Sequence, residues 1–242
     1  MTGGDSEDRP ETSSDDETFS NRSDNLAEEM GDELTFGEEE RDDVAELVGS
    51  SPSRGSFLRL ALIFEGGLLA VAIGLALLLS THVSLPILWR WSDILWGLTG
   101  VLPMLVMYQF VNDLREMVLE MLGGILNQCS AVDLAFVALL AGLSEELMFR
   151  GVLEFWMAQW SFWGAVVVVS LLFGAVHALS WRYFTFATFI GAYFSWLSTG
   201  FFISSPLFPE PNLLRPIVTH AVYDFVALLL IRHEYRQQSF EK

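Results

Sequence analysis

Cysteine is almost absent from this chain. A single cysteine, Cys129, occurs among 242 residues, which excludes an internal disulfide and any zinc site built on paired cysteines. Basic side chains are also few, with 13 lysines and arginines against 31 acidic residues. Because nucleic acids are bound through clustered lysines and arginines, we expect no nucleic-acid partner.

The negative charge is concentrated at the beginning of the chain. Residues 1–50 hold eighteen of the 31 acidic residues and three of the 13 basic ones, so their net charge is −15 and that of the remainder is −3. Such a segment buries too little apolar surface to offset its ordering entropy. We therefore predict an acidic, disordered cytoplasmic tail with an unknown partner. The segment has no apolar core flanked by basic residues, so a signal peptide is not expected.

The remainder of the chain contains long apolar runs. A membrane-spanning helix needs about 20 apolar residues, and the runs lack the two-residue alternation of barrel strands. The sequence therefore predicts an all-α fold, a polytopic membrane helix bundle of about six transmembrane helices. These are Phe57–Ser80, Ile94–Val111, a run from Ala131 to Trp156, Phe162–Leu179, Phe184–Ile203 and Leu213–Ile231.

Arginines indicate the orientation of this bundle. Most of those near the predicted helix ends fall on one side, which the positive-inside rule makes cytoplasmic. We expect a multi-pass plasma (inner) membrane protein with both termini in the cytoplasm. Residues 51–130 are assigned to two N-terminal transmembrane helices and a linker, 131–232 to the membrane core, and 233–242 to a short C-terminal tail.

Charged residues interrupt the third apolar run, in the stretch SEELMFRG. Ionisable groups at membrane depth are costly and point to function. On a helix, Glu146 and Arg150 lie on one face, as do Arg150 and Glu154, so Arg150 can be held by Glu146, Glu154 or both. Glu145 points about 100° away from Glu146. It is the carboxylate that remains available for chemistry.

Two further clusters follow, in FGAVHALS and THAVYDF. Phe173 and His177 lie one helical turn apart, and His220 and Asp224 have the i,i+4 spacing that shares one face. Each histidine alone is compatible with a structural role. Together with Glu145, however, they provide a carboxylate and an imidazole, which form a general-base site around one water.

Two chemistries remain open for such a site. In one, Glu145 and His177 activate water and His220 donates to the developing oxyanion. In the other, Glu145, His177, His220 and Asp224 are possible ligands of Zn²⁺ with an open position for water. Both predict hydrolysis of an amide within the membrane. The chain contains neither H-E-x-x-H nor G-x-S-x-G, the patterns of other hydrolases.

The three clusters, in this order, resemble the CPBP family of intramembrane proteases. That family includes the type II CAAX prenyl endopeptidases and bacterial proteins linked to bacteriocin self-immunity. Its pattern is E-E-x-x-x-R, then F-x-x-x-H, then H-x-x-x-N or D, which matches Glu145–Arg150, Phe173–His177 and His220–Asp224. The resemblance covers roughly residues 130–232.

The resemblance implies a role for each motif residue. Glu145 and His177 would activate water, His220 and Asp224 would stabilise the oxyanion or complete the polar site, and Glu146, Arg150 and Phe173 would support the geometry. Residues 131–232 would be the catalytic core, a metalloprotease with Zn²⁺ or a metal-free glutamate protease. The substrate would be a membrane-embedded or lipidated peptide or protein in the lipid bilayer.

Asp224 stands where the family pattern allows Asn as well as Asp. An ionised Asp donates no hydrogen bond, so Asp224 must be protonated, orient His220 or bind a metal.

Two other functions are compatible with the sequence. One is a non-catalytic immunity or scaffold protein of the same fold, which would not need Glu145, His177 and His220 together. The other is a small ion or proton transporter, although no inverted repeat is visible. Glu65 is left without a role, and the adjacent Gly66 and Gly67 predict a close helix contact.

Overall fold

The computed structural model describes residues 53–79, 83, 85–109, 112–200 and 210–240, and these residues form helices and no strand. The predicted all-α fold is confirmed for this part of the chain, and the predicted acidic tail lies outside it. The elements are α1 (Arg54–Leu78), α2 (Trp91–Tyr108), α3 (Asn112–Gln128), α4 (Ala131–Glu146), a π-helix (Leu147–Glu154), α5 (Phe155–Ala158), α6 (Phe162–Val176), α7 (Trp181–Thr199) and α8 (Leu214–Phe240).

Serine hydroxyls mark the starts of four helices. Each accepts a hydrogen bond from a backbone N–H in the first turn, which would otherwise lack a partner. The serines concerned begin α1, α4, α6 and α7 and are Ser53, Ser130, Ser161 and Ser180. Ser130 forms a reciprocal capping box with Asp133. Asp133 also pairs with Arg54 at 2.7 Å, which joins the starts of α1 and α4.

Two of the described helices, α1 and α8, are long and apolar enough to cross a membrane. On α1 only Glu65 and Ala72 are buried, and large apolar side chains such as Ile63 and Phe64 are about two-thirds exposed. An apolar face of this kind suits contact with lipid. The α6 helix is apolar but shorter, so the count of six spans stays a prediction.

Two segments are helical where the sequence predicted a linker and a tail. Residues 112–128 form α3, and α8 continues to Phe240 through the segment assigned as the C-terminal tail. The two pack together, since Tyr235 lies directly over Gly123, Arg115 pairs with Glu234 at 3.2 Å, and Arg236 donates to Asn127. Each segment therefore provides the partner that stabilises the other.

A buried polar cluster fixes the start of α8. Arg215 is fully buried and donates to Asp93 of α2 at 2.6 Å. Asn212 donates to the same carboxylate at 2.7 Å and exchanges hydrogen bonds with the backbone of Leu88. A buried charge is tolerated when it is paired and hydrogen-bonded. The cluster therefore anchors the start of α8 against α2, and this fixes the position of His220 further along α8.

The α8 helix packs against α2, α3 and α4, α6 pairs with α7, and α1 packs against α4 and the π-helix. The α4 and α8 helices approach closely at Gly142, where a Cβ would lie 2.8 Å from the backbone nitrogen of Ala221. The close contact predicted at Gly66 and Gly67 is wrong, because no described atom outside α1 lies within 4 Å of a Cβ there. Gly67 is exposed and Gly66 is partly exposed.

We expect Gly142→Ala to lower the free energy of unfolding by about 1–3 kcal/mol, because the added methyl forces α4 away from α8. Thermal unfolding in detergent measures the change. Gly74→Ala is the matched control, since α1 has open space around that position. Equal stability of the two variants would contradict the close packing of α4 on α8.

Candidate active site

Glu145 and His177 face each other across the bundle. Glu145 is the penultimate residue of α4, and His177 follows the last residue of α6. Glu145 Oε2 lies 3.5 Å from His177 Nε2. His177 Nδ1 is 2.8 Å from the Phe173 carbonyl oxygen, which only accepts, so Nδ1 carries the proton. In the neutral ring, Nε2 therefore presents its lone pair to Glu145.

Glu146 joins α4 to α8. Its Oε1 accepts from Arg150 at 3.1 Å and lies 3.0 Å from His220 Nδ1. Glu146, Arg150 and His220 are all more than nine-tenths buried. The sequence paired Glu146 with Arg150 alone, whereas the structure adds His220 to the same oxygen. An ionised carboxylate has no proton to donate, so in the second contact the Nδ1–H of His220 donates the hydrogen bond to Glu146.

Asp224 lies one turn beyond His220. Its Oδ2 is 3.3 Å from His220 Nε2, and its side chain is 30% exposed against 7% for His220. With Nδ1 engaged by Glu146, an N–H at Nε2 is placed to donate to Asp224 Oδ2. Among the three roles considered for Asp224, this contact matches the orientation of His220.

Arg150 is enclosed by aromatic rings. Its guanidinium carbon lies 4.4 Å from the ring centroid of Phe173 and 5.2 Å from that of Phe194, distances typical of cation–π contacts. A second nitrogen donates to the Gly191 carbonyl at 2.9 Å. Phe194 also stacks on His220, with centroids 5.0 Å apart.

Phe194 and Gly191 were missed from sequence, because an aromatic and a glycine in an apolar helix carry no chemical signal. Their three-residue spacing on α7 puts them on one face.

Glu154 is hydrogen-bonded to Ser195 and not to Arg150. Arg150 forms its ion pair with Glu146, while Glu154, 2% exposed, accepts a hydrogen bond from Ser195 at 2.5 Å. The two buried carboxylates thus contact different parts of the structure. Glu146 supports the site, and Glu154 ties the end of the π-helix to α7.

The helix that carries the first motif changes its hydrogen bonding immediately after Glu146. Residues Leu147–Glu154 form a π-helix, in which backbone bonds join residues five apart. Such segments are rare and are frequent at functional sites. The sequence predicted one regular helix through this region. The wider turn contains Arg150 and lies directly beside Glu145 and Glu146.

The four predicted catalytic residues line one cavity of about 340 Å³. Its walls are otherwise mostly apolar and aromatic. They come from α1, α2, α3, α4, α6, α7 and α8, with examples in Phe57, Met104, Leu122, Val137, Phe173, Ile190 and Leu228. The volume is within the range of small-molecule sites. An apolar cavity with carboxylates and imidazoles in one region suits an apolar peptide whose polar backbone must be oriented.

The predicted zinc ligands do not fit a metal. Within the described part of the chain, no group of three or more His, Cys, Asp or Glu side chains is arranged to hold a metal ion. The partners explain why, since His220 Nδ1 lies against Glu146 and its Nε2 against Asp224.

Residues 127–226 match the family model described as type II CAAX prenyl endopeptidase Rce1-like. The match confirms the resemblance to the CPBP family. It covers less than half of the chain and includes all three motifs. No curated protein and no solved structure matches the chain. Membrane protein and protease are the classes that the Rce1-like segment indicates.

Proposed function

We propose that this protein is an intramembrane endopeptidase that hydrolyses a peptide bond of a membrane-embedded or lipidated peptide or protein. The observation that carries the proposal is the 3.5 Å approach of Glu145 to His177 inside a mostly apolar cavity. When Glu145 is ionised, two hydrogen-bond acceptors face each other. A water that donates one hydrogen to each satisfies both and turns a lone pair towards a substrate carbonyl.

Hydrolysis then follows from the placement of the protons. Glu145 takes a proton from the water as its oxygen attacks the carbonyl carbon. The Nε2–H of His220, which Asp224 orients, donates a hydrogen bond to the developing oxyanion. Collapse of the tetrahedral intermediate breaks the C–N bond, and the proton held by Glu145 passes to the leaving amine. The products are a carboxylic acid and an amine, and Glu145 is again ionised.

Cleavage of defined peptides tests the proposal. The purified protein, reconstituted in lipid vesicles, is incubated with a set of synthetic transmembrane peptides and lipidated C-terminal peptides, and mass spectrometry identifies the products. We expect one new N-terminus per cleaved peptide, formed at a rate proportional to the protein. Binding without cleavage of any peptide would favour the scaffold function. Ion flux into vesicles that contain the protein but no peptide would favour the transporter.

Removal of divalent metals distinguishes the two mechanisms of water activation. Because Glu145 and His177 activate the water in the proposed mechanism, we expect the cleavage rate to change less than about twofold after dialysis against a chelator. The rate is measured with one cleaved peptide before and after dialysis. Loss of cleavage that added Zn²⁺ restores would contradict the metal-free mechanism.

A further inference from the structure

Glu65 is a carboxylate and one of the two buried residues of α1. It lies on α1, outside the Rce1-like segment, and is 9% exposed. An ionisable group at membrane depth is costly and by default indicates function. Glu65 has no part in the chemistry described above, and the sequence alone left it without a role.

The Glu65 carboxyl contacts the residue that precedes Glu145. Its Oε2 accepts a hydrogen bond at 2.5 Å from the hydroxyl of Ser144, which is fully buried. Ser144 also lies 3.2 Å from the Ala141 carbonyl oxygen. A hydroxyl has one proton and a carbonyl only accepts. The contact to Glu65 is the shorter of the two, so the hydroxyl donates mainly to the Glu65 carboxyl oxygen.

The contact lies where the α4 helix gives way to the π-helix, and α1 packs against both segments. Ser144 and Glu145 project about 100° apart on a helix. Ser144 is therefore held towards α1 while Glu145 projects into the cavity. A rotation of the end of α4 would change the Glu145–His177 distance, and misplacement by about 1 Å can reduce catalysis on the order of 100-fold.

We propose that Glu65 is a positioning residue of the active site, which holds Glu145 at its distance from His177 through a hydrogen bond to Ser144. The proposal rests on the proposed function. It assigns to α1, which lies outside the family match, a part in cleavage. Glu65 acts through Ser144 and does not touch the substrate.

Three variants test this role in the peptide-cleavage assay with the full chain. Glu65→Leu and Ser144→Ala both remove the hydrogen bond, and we expect each to lower kcat about 10- to 100-fold with KM changed less than about twofold. Glu65→Gln keeps an oxygen that accepts from the Ser144 hydroxyl, and it is expected to retain kcat within about threefold of the wild type. The double variant Glu65→Leu/Ser144→Ala should lose no more than either single variant, because both changes remove one interaction.

A purely structural role gives a different pattern. It would lower the unfolding temperature of Glu65→Leu while the kcat of the folded fraction stays at the wild-type value, and that result would overturn the proposal. Additive losses in the double variant would also overturn it. If Glu65→Leu does not fold, the smaller change Ser144→Ala decides. Ala72→Val, the other buried position of α1, controls for a general disturbance of that helix and should leave kcat unchanged.

Failure of this proposal is distinguishable from failure of the proposed function. Wild type and Glu145→Gln are measured alongside. If the wild type cleaves no peptide, the proposed function is wrong. If the wild type cleaves, Glu145→Gln does not, and both Glu65→Leu and Ser144→Ala keep the wild-type kcat, only the role of Glu65 is wrong.

Discussion

Replacement of Glu145 by Gln is expected to reduce peptide cleavage about 1,000-fold. The amide has nearly the same size as the carboxyl and can still contact His177, but it accepts no proton from water. The protein should stay folded, since Glu145 is not part of the Glu146–Arg150 ion pair. Initial rates of product formation measure the loss, and the unfolding temperature in detergent checks the fold.

The matched control is Glu120→Gln, the same chemical change at an exposed position of α3. It should cleave at the wild-type rate. A cleavage rate of Glu145→Gln equal to that of the wild type would contradict the mechanism, because the proposed base would then be unnecessary. A loss of cleavage that accompanies unfolding would mean that Glu145 supports the fold, which also contradicts its assignment.

Replacement of Arg150 by Leu is expected to lower the free energy of unfolding by about 3–5 kcal/mol. Arg150 is fully buried, and its removal leaves the Glu146 carboxylate without its cationic partner. The Gly191 carbonyl would also lose the hydrogen bond donated by the guanidinium. Denaturant or thermal unfolding in detergent measures the change.

Arg59→Leu, at an exposed position near the start of α1, is the control and should differ from the wild type by less than about 1 kcal/mol. Arg150→Lys should fall between the two, because an ammonium keeps the charge but lacks the planar fork that reaches both Glu146 and Gly191. A stability of Arg150→Leu equal to that of Arg59→Leu would contradict the structural role of the buried pair.

Sequence patterns predicted the helices well where apolar runs are long, and less well where packing decides. The α3 helix and the end of α8 were assigned as a linker and a tail because they are rich in polar residues. The contacts that stabilise them, such as Arg115 with Glu234, join residues far apart in sequence and are not visible in its local pattern. The π-helix was also missed. Its backbone bonds join residues five apart instead of four, and apolar spacing does not report that change.

Within the site, spacing predicted the pair of Glu146 with Arg150 and the common face of His220 and Asp224. The partner of Glu65 had no such signal, since Ser144 lies 79 positions away along the chain. Gly66 and Gly67 gave the opposite error. A pair of small residues predicts a close contact only where another helix is present, and no described atom of another helix lies within 4 Å of a Cβ at either glycine.

One oxygen atom, Oε1 of Glu146, accepts from both Arg150 and His220. Folding depends on the first contact and the proposed oxyanion donor on the second. Substitutions at Glu146 will therefore change protein abundance and turnover together, and neither quantity alone will identify the defect. A suppressor that restores folding of a Glu146 variant by repacking around Arg150 should leave cleavage low, because His220 would still lack the acceptor that orients it.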